Sequence, residues 1–284
     1  SSSSPGISLM QEGISYIAGA QIPAVIVNIM RAGPGLGNIW PAQSDYFQAT
    51  KGGGHGDYHS IVLAPSSVQE SYDLTFRAFD LADKYLMPVI ILGDAMLGQL
   101  MEPLLAYRIS QSAYRNHKRL AISSKPKSWA ATGCKGRERK IVKSFHLKMG
   151  ELEKLNIRLQ EKYKAVQAKE QDAESFYLDD SRIVLVAYGT MSRLARQAMH
   201  DLREEGLKAG LIRPVSLWPF PSAVFAKRCA SDTRYLVVEM SYGQMVEDVR
   251  LSCGGSARVE FLGRSGGGIP STEEIKAAAR EIMR

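Results

Sequence analysis

The chain has 284 residues, 45% of them apolar and 23% charged, with 36 Lys and Arg against 29 Asp and Glu. That length and balance describe an ordinary folded chain of about two domains, and they exclude a peptide, a collagen and a disordered tail. The apolar runs, such as Ala24 to Met30 and Pro88 to Gly93, fall far short of the roughly 18–20 residues of a membrane-spanning helix.

The chain opens on Ser1-Ser2-Ser3-Ser4-Pro5-Gly6. With no signal peptide and helix-like sequence directly after, it is expected to begin mid-domain. From Ile14 to Glu102 strand-like and helical runs alternate, the order of an α/β domain with a parallel sheet and crossover helices. Strands are predicted at Ala24 to Met30, Ser60 to Pro65 and Pro88 to Asp94, with an amphipathic helix from Val68 to Tyr85 capped by Ser66 or Ser67. Between Leu104 and Lys148 the periodicity lapses and basic residues accumulate, among them Arg115, Lys118, Arg119, Lys125, Lys127, Arg137 and Lys140. The stretch reads as a solvated connector or a subunit-contact surface; nucleic acid, the alternative use of the +7 net charge, lacks a supporting motif. Glu151 to about Ala173 carries an apolar stripe at helical spacing, that of a helix lying across a domain surface.

From Ser181 a second alternation begins. Strands are predicted at Arg182 to Tyr188, Ala209 to Leu217, Tyr235 to Met240 and Arg258 to Gly263. Helices are predicted at Met191 to Glu205, Ser222 to Cys229 and Gln244 to Cys253, with a last one opened by the Ser271 and Glu274 capping box. This is a doubly wound sheet. The predicted division is residues 1–103, a connector over 104–180, and 181–284.

The densest chemical signal is Arg31-Ala32-Gly33-Pro34-Gly35-Leu36-Gly37-Asn38, beyond the carboxyl end of the first strand, where open α/β sheets bind ligands. Gly33, Gly35 and Gly37 let the backbone approach a ligand, and the Arg31 fork suits a carboxylate. A tight turn with Arg31 paired to a nearby acid is the other reading. A second loop, Lys51-Gly52-Gly53-Gly54-His55-Gly56-Asp57, brings three ionisable types together. His55 there is a general acid or base, an oxyanion donor, or structural. Gly263 to Pro270 is an anion cradle before the last helix or a flexible joint. Glu239 to Gln244 ends a strand where contacts between domains or subunits are common. Cys134, Cys229 and Cys253 form neither a disulfide framework nor a metal motif, so the expected compartment is the reducing cytoplasm, no metal ligand set is assigned to this chain, and any iron–sulfur cluster belongs on another subunit.

Ser1 to Gly13, Arg31 to Thr50, Lys51 to Tyr58, Ala64 to Glu70, Arg213 to Pro221 and Gly263 to Pro270 (SSSSPGISLMQEG, RAGPGLGNIWPAQSDYFQAT, KGGGHGDY, APSSVQE, RPVSLWPFP and GRSGGGIP) together resemble the alpha subunits of 2-oxoacid:ferredoxin oxidoreductases, in order along nearly the whole chain. The resemblance implies a thiamine-diphosphate enzyme that decarboxylates a 2-oxoacid, passes electrons to ferredoxin through iron–sulfur clusters and releases an acyl-CoA. It implies that residues 1–103 are a pyrimidine-type thiamine-diphosphate domain and 181–284 a transketolase C-terminal-like domain. Partners are then beta, gamma and ferredoxin-like delta subunits, which hold Mg²⁺ and the clusters. No nucleic acid and no membrane enter. Arg31 matches the family arginine that grips the substrate carboxylate; on the reading of the two loops, Gly33, Gly35, Gly37, Lys51 and Asp57 are expected to bind the cofactor and His55 to be catalytic.

The family's Tyr-Pro-Ile-Thr-Pro loop and ylide-forming Glu are not found ahead of Ser1. The resemblance therefore implies an N-terminally incomplete copy with an exposed sheet edge. Leu104 to Ser124 departs from the family's shorter connector, and Trp129 to Tyr163 resumes the match. Gly33 to Gly37, where 2-oxoglutarate enzymes read Gly-Pro-Ser-Thr-Gly, implies an aliphatic 2-oxoacid such as 2-oxoisovalerate. The alternatives are a 2-oxoglutarate enzyme, the beta subunit of a lipoamide-linked 2-oxoacid dehydrogenase, against which both glycine loops argue, and a non-catalytic assembly subunit.

Overall fold

In a computed structural model of the chain, residues 1–105, 127, 130, 132–226 and 233–284 are described. The first part runs α1 (Ser4–Ala20), β1 (Ala24–Met30), α2 (Tyr46–Thr50), β2 (Ile61–Leu63), α3 (Val68–Tyr85), β3 (Pro88–Asp94) and α4 (Ala95–Gln99). Every residue of β3 is buried. It lies between β1 and β2 and pairs parallel with both, which is why its sequence is a continuous apolar run with no alternation. Of the two candidate caps for α3 it is Ser67 whose hydroxyl accepts from Glu70 N. On the outer side of β1, Ser2 N donates to Val27 O at 3.0 Å and Ile29 N to Ser2 O at 3.1 Å, so the edge expected to lie open is partly paired.

The second part runs α5 (Glu151–Lys169), β4 (Ala173–Phe176), β5 (Ile183–Val186), α6 (Met191–Glu204), β6 (Ala209–Pro214), β7 (Ser216–Trp218), α7 (Ser222–Ala226), β8 (Arg234–Glu239), α8 (Met245–Cys253), β9 (Arg258–Gly263) and α9 (Thr272–Met283). Its sheet has the order β4-β6-β5-β8-β9, parallel except for β4, which runs antiparallel to β6. Met191, Met199, Leu202, Ile275 and Ala279 of α6 and α9 cover one face. Val184, Val186, Ile212 and Val237 on the other face share one continuous core with Ile61, Leu63, Val89 and Ile91 of the first sheet.

Two sequence expectations change. The strand drawn from Ala209 to Leu217 is two strands of two sheets. Pro214, which has no N–H to continue a ladder, ends β6, and the Val215 and Ser216 amides both donate to Asp172 O at 3.0 Å. The chain then crosses over as β7, antiparallel to β2, and completes the first sheet in the order β1-β3-β2-β7. The helix drawn to Ala173 stops at Lys169, because its buried stripe ends at Val166, and the next residues form the β4 edge. Cys229 and the end of the helix expected around it, and most of the basic stretch from Arg108 to Ser124, lie outside the described residues; Lys135, Arg137, Arg139, Lys140 and Lys143 are exposed and outside helices and strands.

Arg213 of β6 holds the two parts together. Its side chain is 2% exposed. Nη1 and Nη2 donate to Glu70 at 2.8 and 2.7 Å, Nε to Glu174 of β4 at 2.9 Å, and Nη1 also to Ser66 Oγ at 2.9 Å. Burial raises the Glu70 pKa, but the hydrogen bonds and charge of Arg213 outweigh it and hold that carboxyl below its ordinary value.

The helix α5 turns Leu155, Leu159, Tyr163 and Val166 inward. Between them Lys162 is carried to the amino ends of the strands, where Nζ donates to Leu86 O at 3.2 Å and Gln21 Oε1 at 3.3 Å. Burial without a carboxylate partner lowers its pKa to about 8. Above that pH the folded chain gives up a proton that the unfolded chain keeps until about 10.4, so this group's contribution makes stability rise between these values. We expect the melting temperature of the parent to gain on that of Lys162→Met between pH 8 and pH 10. A flat difference across that range would show that the ammonium is not desolvated.

Candidate active site

The carboxyl end of β1 is shaped by short polar side chains. Arg31 N donates to Ser4 Oγ at 3.1 Å, and that hydroxyl donates to Asp45 Oδ2 at 2.6 Å. Asn28 Nδ2 donates to the same carboxylate oxygen at 2.9 Å, which fixes the amide orientation and leaves Asn28 Oδ1 buried without a donor. Beyond Arg31 the chain doubles back. Arg31 bridges Pro41, Ala32 N donates to Trp40 O at 2.9 Å, and Asn38 N donates to Ala32 O at 3.0 Å.

This turn requires glycine at one position above all. Gly37 has φ +62°, and a Cβ there would lie 1.8 Å from Ala32 O, so any side chain would force the loop open. Gly35, also left-handed at φ +68°, has open space around it. The Arg31 guanidinium donates from Nη2 to Leu36 O at 3.3 Å, its Nε is buried without an acceptor, and no carboxylate among the described residues pairs with it. The reading of Arg31 as the partner of a neighbouring acid is therefore not what the structure displays. Leu36, Ile39 and Trp40 stand exposed around it.

The second loop lies elsewhere. The loop starts beside α2 and runs along α1, away from Arg31, toward the amino end of β2: Gly53 abuts Gln11, midway along α1. Ser15 Oγ donates to the His55 carbonyl, and Ser15 is 11 residues along α1 from Ser4, about 16 Å at helical rise. Lys51 forms an ion pair with Asp248, the acid that also accepts from Tyr46 Oη at 2.6 Å. His55 and Asp57 are exposed, and the Asp57 carbonyl accepts from Gln160 at 3.3 Å. Gly53 and Gly54 serve close approach to α1: their Cβ atoms would lie 2.7 Å from the Gln11 side chain and 2.5 Å from its carbonyl. The structure thus brings Arg31, Gly33, Gly35 and Gly37 together and leaves Lys51, His55 and Asp57 outside that group.

What motif reading missed is Gln43. Fully buried, it spans the carboxyl ends of both sheets: Gln43 N donates to Met240 O at 2.8 Å, Met240 N to its Oε1 at 3.0 Å, and its Nε2 to Tyr188 O at 3.0 Å. Gln244 likewise accepts from Phe47 N at 2.8 Å and donates to Ser44 O at 2.7 Å, so Glu239 to Gln244 does make the contact between parts that its position suggested. Ser4, Asn28 and Asp45 were equally silent, since each is a common small polar residue that acquires a role only when the fold places it beside Arg31. The Gly263 to Pro270 loop is not a vacant anion cradle, because the amide of Ser271 donates to Glu274 Oε2 at 2.7 Å and Ser271 Oγ accepts from Glu274 N at 3.2 Å.

The carboxyl end of β1 thus presents a guanidinium with no acid partner among the described residues, on a glycine turn backed by a second α/β sheet, a group whose planar fork suits a carboxylate. Residues 1–177 match the family described as pyruvate flavodoxin/ferredoxin oxidoreductase, thiamine diphosphate-binding, and residues 181–275 match pyruvate:ferredoxin oxidoreductase core domain II. The chain belongs to the 2-oxoacid:ferredoxin oxidoreductase family and is an alpha-type subunit. Ketoisovalerate oxidoreductase subunit VorB of Methanothermobacter thermautotrophicus is 49% identical to it over 99% of this chain and 77% of that protein. The 2-oxoglutarate synthase subunit KorA of Methanothermobacter marburgensis is 35% identical over 96% of this chain and 77% of that protein. The solved 2-oxoglutarate:ferredoxin oxidoreductase of Magnetococcus marinus shares the fold, with a TM-score of 0.81 at 24% identity; the alignment takes in all of this chain and 52% of that one. Among the described residues no helix is long and apolar enough to cross a membrane.

Proposed function

We propose that this chain is the alpha subunit of a thiamine-diphosphate-dependent 2-oxoacid:ferredoxin oxidoreductase that converts a branched-chain 2-oxoacid, 2-oxoisovalerate, to its acyl-CoA and CO₂ while reducing ferredoxin. The observation that carries this reading is Arg31, an arginine with no acid partner among the described residues, held on a glycine turn at the carboxyl end of a parallel strand. The two VorB relatives, 49% identical each, support the branched-chain substrate.

The residues present fit one side of such a site. Arg31 Nε is a buried donor without an acceptor and Asn28 Oδ1 a buried acceptor without a donor, so the carboxyl end of β1 holds hydrogen-bonding capacity that the described residues leave unused. Arg31 binds and orients the carboxylate of the 2-oxoacid through its planar fork, and Ser4 fixes the backbone from which it reaches. Gly37 lets the turn close on Ala32 O, and Gly35 adds no side chain to the open space around it. Thiamine diphosphate, when bound, supplies the carbanion-stabilising electron sink. We assign its diphosphate and Mg²⁺ to a beta subunit, the iron–sulfur clusters to a ferredoxin-like delta subunit, and the CoA step to the complex with the gamma subunit, in a reducing cytoplasm where ferredoxin accepts the electrons. Asp57 is left out of the cofactor set and His55 out of catalysis, because their loop runs along α1 away from Arg31, and Lys51 is left out of the cofactor set because its ammonium is taken by Asp248.

The test is reconstitution with the partner subunits and measurement of 2-oxoacid-dependent viologen reduction in the presence of CoA. We expect kcat/KM to be highest for 2-oxoisovalerate, with 2-oxoglutarate and pyruvate at least about tenfold lower, the discrimination a pocket gains from one or two well-placed apolar groups. Preference for 2-oxoglutarate would move the chain to that branch, and colourless partners with no turnover would make it an assembly subunit.

A further inference from the structure

The turn that presents Arg31 is held from the far half of the sequence. Asn38 uses both ends of its amide: Oδ1 accepts from Trp40 N at 2.9 Å, while Nδ2 donates to Gly266 O at 3.1 Å. Next to that carbonyl, Gly267 takes φ +95°, and a Cβ on it would lie 2.5 Å from Trp40 Cβ and 3.1 Å from Trp40 Cγ. Both facts point the same way. The glycine conformation opens the loop after β9 so that Trp40 can seat against bare backbone, and Asn38 ties the seat shut.

Three hydrogen bonds tie that seat to the turn that carries the guanidinium. Trp40 O receives Ala32 N, Asn38 N reaches Ala32 O, and Arg31 Nη2 reaches Leu36 O, two residues before Asn38. A shift of the seat therefore moves the ladder from which Arg31 extends. The loop is also joined to α9, because Arg264 pairs with Glu274 at 3.2 Å and Glu274 closes the capping box of that helix.

We propose that Gly267 and Asn38 are positioning residues for Arg31, so that the loop after β9 sets how tightly the 2-oxoacid carboxylate is held. The proposal rests on the reading of Arg31 given above and adds to it a role for the glycine-rich loop of the second sheet. Neither residue touches substrate. Their effect is on ground-state and transition-state binding alike, which raises KM and spares kcat.

The experiment uses the reconstituted complex with Gly267→Ala and, in parallel, Asn38→Ala, an exposed substitution that leaves the core intact. Misplacing a binding group by a fraction of an ångström to an ångström is costly, and we expect KM for the 2-oxoacid to rise at least about fivefold in both variants, with kcat and KM for CoA within about twofold of the parent. A purely structural role would lower the melting temperature and move both KM values together, and that result overturns the proposal. An independent readout comes from labelling this chain alone with 5-fluorotryptophan, the Trp40 signal being identified by its loss in Trp40→Phe. That signal is expected to shift in Gly267→Ala. An unchanged 2-oxoacid KM in Asn38→Ala overturns the positioning role even if the fluorine signal moves. A parent complex that turns over no 2-oxoacid removes the functional reading itself, whereas an active parent with an insensitive KM removes only the role of this loop.

Discussion

Replacing Arg31 with Ala is expected to lower kcat/KM for the 2-oxoacid by about 10- to 100-fold. A hydrogen bond between charged partners contributes roughly 1.5–3 kcal/mol, and about 1.4 kcal/mol is tenfold in an equilibrium or rate ratio. No acid among the described residues competes for this guanidinium, and its Nε is withdrawn from water. Arg31→Lys retains the charge but not the planar fork, and a compact ammonium cannot make the same pair of parallel bonds. It is expected to fall between Ala and the parent. Steady-state viologen reduction by the reconstituted complex measures both. A loss under twofold in Arg31→Ala would sink the assignment, and the accompanying KM for CoA separates a local effect from a damaged subunit.

The largest effect on stability is expected at Arg213. Arg213→Met removes the buried guanidinium between Glu70 and Glu174. Breaking a buried pair costs roughly 3–5 kcal/mol when the remaining charge is sealed in. Here the low end, about 3 kcal/mol, is expected, since the Glu70 and Glu174 side chains keep 28% and 42% of their exposure and hydrate in part. At about 2 °C per kcal/mol for a chain of this size, the melting temperature falls by roughly 6 °C. The double variant Arg213→Met with Glu70→Gln is expected to recover a large part of the loss, because Glu174 retains Arg196 at 3.1 Å and no unpaired charge remains at Glu70. Failure of the double variant to recover would show that the packing of the long Arg213 stem, not its charge, is what matters. The Glu70 carboxyl is held below its ordinary value. Its share of the stability is therefore intact above about pH 4.3 and is lost as acid protonates the folded form below that.

The alternation of strands and helices was legible because it depends on local periodicity, as in the continuous apolar run of β3 and the stripe of α3. The capping box at Ser271 was legible for the same reason. What periodicity cannot carry is which sheet a strand joins. Residues Ala209 to Leu217 read as one strand, and only the pairing of Val62 with Trp218 and of Leu63 with Ser216 reveals that the chain changes sheets near Pro214. The β4 edge was missed because it is only four residues long, with Ala173, Glu174 and Phe176 half-buried and Ser175 exposed, too short a run to break the reading of a helix end. At the candidate site, the glycine turn that carries Arg31 was legible, since the arginine and the turn residues share one short stretch. Lys51, His55 and Asp57 looked equally functional. Their separation from Arg31 comes from topology: one loop leaves a strand and the other enters one, and in a parallel sheet those are opposite ends.

The crossing of β7 makes heredity of the two halves indivisible in a physical sense. A polypeptide cut after residue 180 would leave β2 as a bare rim, with Ala64 N deprived of the Val215 carbonyl that it meets at 2.8 Å, while the severed remainder would carry Ser216, Leu217 and Trp218 with nothing to lie beside. Gene fission at that point would therefore yield fragments that must find each other before either is complete. Fusion or insertion between Lys169 and Ala173 would disturb Asp172, whose carbonyl steers the crossover.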